Sequence, residues 1–158
     1  MHLIARLTLG ILEVIGGILG VALIAVDAWS EGTLAFAPLL FGGVYVLTIA
    51  AGVALLRGNR AGGLLSLLVQ LLQLPRVATA GCTYSFAAGA GVWVMFGSSG
   101  AGISHSLGSA YSWSTIASAG AFPFGVNIVA ALAIAVLLAI RSPRTKRAKD
   151  KRRPMAFA

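Results

Sequence analysis

The stretch from Leu64 to Arg76, LLSLLVQLLQLPR, decides where the interior of this protein lies. Eight of its thirteen residues are leucine or valine, yet it also carries two glutamines, a proline and an arginine. Ser66, Gln70 and Gln73 are spaced i, i+4, i+7, which places them on one face of a helix. An unpaired amide is costly in lipid, so a polar stripe on a leucine-rich helix has to face protein or water. We interpret this stripe as the inward face of a helical bundle.

The composition of the whole chain indicates a membrane protein. Its 158 residues are 58% hydrophobic and 10% charged, and the mean hydropathy is +0.92. Soluble domains carry about 25% charged residues, so a soluble fold of this composition could not cover its surface. A bilayer core about 30 Å thick needs about 20 helical residues per crossing. The length therefore allows four crossings with short connections.

Four apolar segments predict an all-α integral membrane protein, a four-transmembrane-helix bundle formed by one domain over residues 1–140. The predicted spans are 7–26, 34–56, 61–84 and 122–140. A Gly/Ser-rich external segment over 85–121 joins the last two spans. We expect it to be partly irregular, with residues 85–97 forming either short strands or a continuation of the third helix to Phe96. A cleaved signal peptide is the alternative for the first span, but its apolar block is too long for one and Glu13 interrupts it.

Charged residues in the connections predict the orientation. Arg6, Arg57 and Arg60 flank the spans on the side of the basic C-terminal tail, whereas Asp27 and Glu31 lie on the opposite side. Lys and Arg concentrate in cytoplasmic connections. We therefore expect a multi-pass protein of the plasma (inner) membrane with both termini in the cytoplasm.

Residues 141–158 predict a basic, disordered cytoplasmic tail, which holds eight of the twelve Lys and Arg residues. Such a tail anchors topology, and it also attracts anionic lipid headgroups by about 1 kcal/mol per basic residue close to the surface. The predicted headgroup-binding residues are Arg141, Arg144, Lys146, Arg147, Lys149, Lys151, Arg152 and Arg153. No aromatic side chain lies among them to stack on bases, so we expect no nucleic-acid partner.

Polar side chains of different spans are expected at matching depths. At 1.5 Å per residue from the basic flanks, Glu13 and Ser66 lie about 10 Å deep, and Gln73 and Asn127 about 20 Å deep. A carboxyl at that depth stays protonated or needs a partner, and we expect Glu13 to be mainly protonated at neutral pH and to donate one hydrogen bond to span two or three. Arg76 is expected to snorkel to the outer headgroups. The predicted polar core comprises Glu13, Tyr45, Thr48, Ser66, Gln70, Gln73, Arg76 and Asn127.

Two classes of function are open. Interhelical hydrogen bonds hold many bundles together, which favours a non-catalytic membrane protein: a scaffold, an accessory subunit or an envelope factor. The alternative is a small oligomeric channel or transporter, with a polar path near Glu13, Gln70 and Gln73. Gly16 and Gly20 form a GxxxG motif that fits either a dimer face or packing within the chain.

Catalytic motifs are lacking in the sequence. It contains no HExxH, nucleophile elbow, phosphate loop or CxxC, so we expect no enzyme, no cofactor and no metal site. The expected partners are the lipid bilayer, with anionic headgroups at the tail, and a second copy of the chain or another membrane protein.

Overall fold

The computed structural model describes residues 2–31, 36–98, 100–114 and 123–141. Within these ranges the chain forms four helices and one six-stranded antiparallel sheet. In chain order, the elements are α1 (His2–Glu31), α2 (Phe36–Leu56), α3 (Arg60–Gln73), β1 (Pro75–Thr79), β2 (Cys82–Ala87), β3 (Ala90–Gly97), β4 (Gly100–Leu107), β5 (Ala110–Ser114), β6 (Phe124–Asn127) and α4 (Ile128–Arg141).

The predicted all-α four-helix bundle is wrong, because the chain between α3 and α4 builds a sheet. The third helix ends at Gln73 rather than near residue 84. Pro75 has no N–H to continue the helical hydrogen bonds, and its ring would clash with the Leu71 carbonyl. The fourth helix begins at Ile128 rather than near residue 122, since residues 124–127 form β6. Strands are also the correct alternative for residues 85–97, and the helical continuation is wrong.

Strands β2 to β5 form one long hairpin that is folded in half. Gly89 and Gly108 lie at the fold, where the N–H of Gly108 donates to the carbonyl of Gly89 at 2.7 Å. Their φ angles are +97° and +95°, a region that glycine enters without steric cost. The register is the same on both sides of the fold: Thr83 to Ala87 lie opposite Ser114 to Ala110, and Ala90 to Gly97 lie opposite Leu107 to Gly100.

The sheet is curled. Its strand order is β4-β3-β6-β1-β2-β5, so two strands separate β2 from β3. In a flat sheet β2 and β3 would lie about 14 Å apart, but the link from Ala87 to Ala90 spans at most about 11 Å. Two strands also separate β1 from β4, yet Arg76 Nη1 on β1 donates to Ser104 Oγ on β4 at 3.0 Å. The face that carries Arg76 and Ser104 is therefore concave.

Part of the convex face packs against the helices. The ring of Phe41 on α2 lies 5.8 Å from that of Phe86 and 4.9 Å from that of Tyr111, measured between centroids. The Tyr111 hydroxyl also donates to the carboxylate of Asp27 on α1 at 2.8 Å. These contacts fix the sheet to the second half of α1 and the first half of α2.

Two of the described helices are long and apolar enough to cross a membrane. They are α1, over Leu3–Ser30, and α2, over Phe36–Leu56. The apolar parts of α3 and α4, Ala61–Gln73 and Ile128–Ile140, are shorter. At 1.5 Å per residue, the 14 residues of α3 measure about 21 Å, which is less than a bilayer core.

Candidate functional site

Glycines on α1 let two other elements approach the helix backbone. A β-carbon on Gly20 would come within 2.1 Å of the Tyr45 ring of α2, and one on Gly16 within 2.5 Å of Ala88, beside the hairpin fold. The two glycines of the GxxxG motif therefore pack within the chain. This close approach brings Glu13, one turn before Gly16, against α3 on one side and the hairpin on the other.

Glu13 forms a buried polar cluster with α3. Its side chain is 3% exposed. The Ser66 hydroxyl donates to Glu13 Oε2 at 2.7 Å, and Gln70 Nε2 donates to Oε1 at 3.1 Å. Both carboxyl oxygens thus have partners on α3, within predicted span three, but they accept these bonds, whereas the sequence predicted that Glu13 donates one. The i, i+4 spacing of Ser66 and Gln70 predicted their shared inward face correctly.

The next polar residues hold the hairpin fold in place. Gln73 Oε1 accepts from the N–H of Ala88 at 2.9 Å, and the Tyr45 hydroxyl donates to the carbonyl of Ala87 at 3.2 Å. The Ser109 hydroxyl donates to the carbonyl of Gly16. An irregular backbone segment in the interior leaves polar groups that need partners; Gln73 and Tyr45 supply two of them, and Ser109 ties the fold to the backbone of α1.

A cavity of about 60 Å³ lies beside this cluster. Glu13, Gln70 and Gln73 line it together with Ala88 and Gly89 of the hairpin fold. A single water needs about 10–15 Å³ of such space. The cavity therefore has room for a few water molecules.

The other three residues predicted for the polar core bond to groups other than Glu13. Thr48 donates to the carbonyl of Val44 in its own helix at 2.8 Å. Asn127 caps α4: its Oδ1 accepts from the N–H of Val129 at 3.1 Å and also from Val92 of β3 at 3.3 Å. Arg76 is on strand β1, so its predicted place in the third helical span is wrong.

Arg76, which we expected to snorkel to the outer headgroups, contacts other strands of the sheet. Its guanidinium bonds to Ser104 and lies over the Trp93 ring, with Cζ 5.6 Å from the ring centroid. Ser106 is on the same concave face, two residues along β4. Sequence reasoning missed Trp93, Ser104 and Ser106 as site residues. Residues 92–96, VWVMF, and 103–107, ISHSL, are typical of strands, in which successive side chains point to opposite faces of the sheet. This alternation was the available signal, because it places Trp93 on one face and its neighbours in the sequence on the other.

The remaining predictions concern metals and the tail. Among the described residues, no group of three His, Cys, Asp or Glu side chains could hold a metal ion. The predicted headgroup-binding residues, from Arg141 to Arg153, lie outside the residues whose side chains the structure describes.

No family model matches this chain, and no similar protein is found among the curated proteins or the solved structures.

Proposed function

We propose that this chain is a multi-pass protein of the plasma (inner) membrane with both termini in the cytoplasm. The length and apolar character of α1 and α2 support this placement. So do the exposed side chains of the helices, which include Ile11, Ile15, Leu39, Leu68 and Leu132. Arg6 and Arg57 lie at one end of the bundle and Asp27 at the other, in keeping with the cytoplasmic preference of Lys and Arg.

The third and fourth crossings then change from helix to strand inside the membrane. The 14 residues of α3 and the five of β1 together measure about 37 Å, which is enough for a bilayer. The hairpin fold contacts Gly16, which lies about 15 Å along α1 from Arg6 and so near the bilayer centre. In this arrangement the part of the sheet next to the hairpin fold lies in the outer leaflet.

The amphipathic character of the sheet supports this depth. Its convex face exposes Phe96, Ile103, Leu107, Phe124 and Val126 on strands β3, β4 and β6. Its concave face carries Arg76 and serines. In the strands of membrane β-barrels, apolar side chains face the lipid and polar side chains face inward. The sheet has the same alternation, so lipid chains would cover its convex face.

Within the membrane, we propose a non-catalytic role through contacts, as a scaffold, accessory subunit or envelope factor. The observation that carries this proposal is the closure of the Glu13 cluster. Both carboxyl oxygens are bonded inside the chain and the side chain is 3% exposed. Buried polar groups with complete hydrogen bonding specify packing between helices, whereas a transport path needs its acid in contact with water.

A small proton or ion path is the second candidate. The cavity of about 60 Å³ favours it, because it places Glu13, Gln70 and Gln73 around a common space. That space holds a few waters, so conduction requires opening or assembly with further copies of the chain.

Reconstitution into liposomes loaded with a pH-sensitive dye tests the choice between these roles. Under an imposed membrane potential, we expect the wild-type protein to acidify the lumen no faster than empty liposomes do. A flux that Glu13→Gln abolishes would instead establish the path, because glutamine cannot release a proton. Mass analysis of the purified protein in native lipid shows whether it is a monomer, a homo-oligomer or bound to a membrane partner.

A further inference from the structure

The concave face of the sheet carries a cation without a counter-charge. Arg76 is the only Lys, Arg, Asp or Glu residue between positions 61 and 140, and no acidic residue occurs between 32 and 149. Within the described part of the chain its guanidinium bonds to a neutral hydroxyl, that of Ser104. The two acids whose side chains are described, Glu13 and Asp27, are bonded to Ser66 and Tyr111 respectively.

Three further polar atoms on this face are buried without a partner among the described residues. They are Trp93 Nε1, Ser106 Oγ and Asn127 Nδ2. Trp93 is 3% exposed and Asn127 is fully buried. Buried polar groups in proteins are almost always paired, so three unpaired atoms on one face require an explanation.

The strand register places Trp93 and Asn127 near Arg76, and Ser106 two residues along β4 from Ser104. Trp93 lies opposite Ser104 on β4 and opposite Asn127 on β6. Arg76 lies opposite Gly125, two residues from Asn127, and its guanidinium covers the Trp93 ring. Directly opposite side chains in a sheet have β-carbons about 5 Å apart. The curl of the sheet brings the same groups closer together.

The polar side chains around Arg76 are mainly hydrogen-bond donors. A guanidinium and an indole N–H only donate, an amide NH₂ donates twice, and a hydroxyl can do either. After its bond to Ser104, Arg76 retains four N–H groups in a planar fork that matches the oxygens of a phosphate. A phosphate also offers acceptor oxygens in several directions, as donors on four strands require.

We propose that the concave face binds the phosphate group of a phosphate ester, held by Arg76 with Trp93 Nε1, Asn127 Nδ2 and Ser106 Oγ as additional donors. Arg76 and Ser104 are only partly buried, so a phosphate can reach the guanidinium from outside the fold, whereas the three additional donor atoms are buried. The same chemistry is presented by an anionic phospholipid headgroup and by a soluble phosphate ester. This site goes beyond the proposed scaffold role, since neither inference requires the other.

Fluorescence of Trp93 tests the proposal. With Trp29→Phe and Trp113→Phe, Trp93 becomes the sole tryptophan, and both replaced residues are exposed. The purified full chain in neutral detergent is titrated with glycerol phosphate and, separately, with phosphatidylglycerol or phosphatidylcholine in mixed micelles. We expect saturable changes in Trp93 emission with glycerol phosphate or with phosphatidylglycerol. A response to glycerol phosphate identifies a soluble ester as sufficient, and a response to phosphatidylglycerol alone identifies the lipid headgroup.

Arginine variants provide the control. Arg76→Gln should weaken the binding about 10- to 100-fold, as expected for losing hydrogen bonds to a charged group. Arg57→Gln, which removes an exposed arginine at the other end of the bundle, should leave it unchanged. If Arg76→Gln fails to fold, Arg76→Lys keeps the charge without the fork and should still bind more weakly than wild type. No saturable response in the folded wild type, or equal affinity in the Arg76 variants, would overturn the proposal.

Discussion

Gly16 of α1 and Ala88 of the hairpin fold are in backbone contact. A β-carbon built on Gly16 would lie 2.5 Å from the Ala88 carbonyl carbon and 2.7 Å from its oxygen. Backbone atoms cannot move aside as a flexible side chain can. The absence of a side chain at Gly16 therefore sets how deeply the hairpin enters between the helices.

Gly16→Ala should destabilise the protein by separating the hairpin from α1. Overpacking of this kind costs about 1–3 kcal/mol. Gly43 of α2 is the matched control, because nothing lies within 4 Å of a β-carbon built there; Gly43→Ala should be neutral or stabilising, by up to about 1 kcal/mol. Thermal unfolding in detergent measures both. Equal stability of the two variants would contradict the packing described for Gly16.

The inward face of α3 could be predicted from the sequence because it depends on local periodicity. Ser66 and Gln70 share a helical face whatever follows them, and Glu13 is the acid at the matching depth. The break at Pro75 was also visible. The expectation that a crossing needs about 20 helical residues nevertheless extended the predicted third span past Pro75 to residue 84.

The sheet was harder to predict because its pairing is not local. Arg76 and Ser104 meet across two intervening strands, and β1 pairs with β6 some 50 residues away. Alternation in a single strand does not specify such partners. Residues 92–96 suggested a strand, but nothing in them indicated that Trp93 would lie beneath Arg76.

The single cysteine provides a test of topology. Cys82 is exposed and is the first residue of β2, next to the turn from β1 and away from the hairpin fold. In intact spheroplasts, a membrane-impermeant maleimide should label Cys82. In a Cys82→Ser background, a cysteine replacing Ser142 should be labelled only after lysis. Labelling of both positions from the same side would contradict the four-crossing arrangement. Ser109 is a poor choice for this purpose, since its hydroxyl bonds to the backbone of Gly16.

Asn127 should matter more than an ordinary helix cap. Its Oδ1 accepts from N–H groups at the start of α4 and from Val92 of β3, so it joins two elements. Loss of a helix cap lowers the free energy of unfolding by about 0.5–2 kcal/mol. We expect Asn127→Ala to lower it by about 2 kcal/mol or more, at or above the upper end of that range. The side chain of Asn59, the exposed cap of α3, bonds only to the N–H of Ala61 among the described residues, so Asn59→Ala should cost about 0.5 kcal/mol, the lower end of the range for lost caps. Chemical denaturation of both variants gives the comparison, and a larger loss at Asn59 would refute this role for Asn127.

Variants of Glu13 separate its hydrogen bonding from its charge. In Glu13→Gln, the new amide oxygen can accept from Gln70 and the new N–H can donate to the Ser66 hydroxyl, since a hydroxyl also accepts. We expect thermal stability close to that of the wild type. Glu13→Leu leaves Ser66 and Gln70 buried without their partner and should cost about 1–3 kcal/mol. The triple variant Glu13→Leu, Ser66→Ala, Gln70→Leu also removes the polar groups that Glu13→Leu leaves unpaired. It should recover most of the lost stability, because replacing all hydrogen-bonding partners with apolar side chains is nearly neutral. Unfolding in detergent compares the three proteins. A loss in Glu13→Gln as large as that in Glu13→Leu would show that the charge of Glu13, rather than its hydrogen bonds to α3, holds the cluster together.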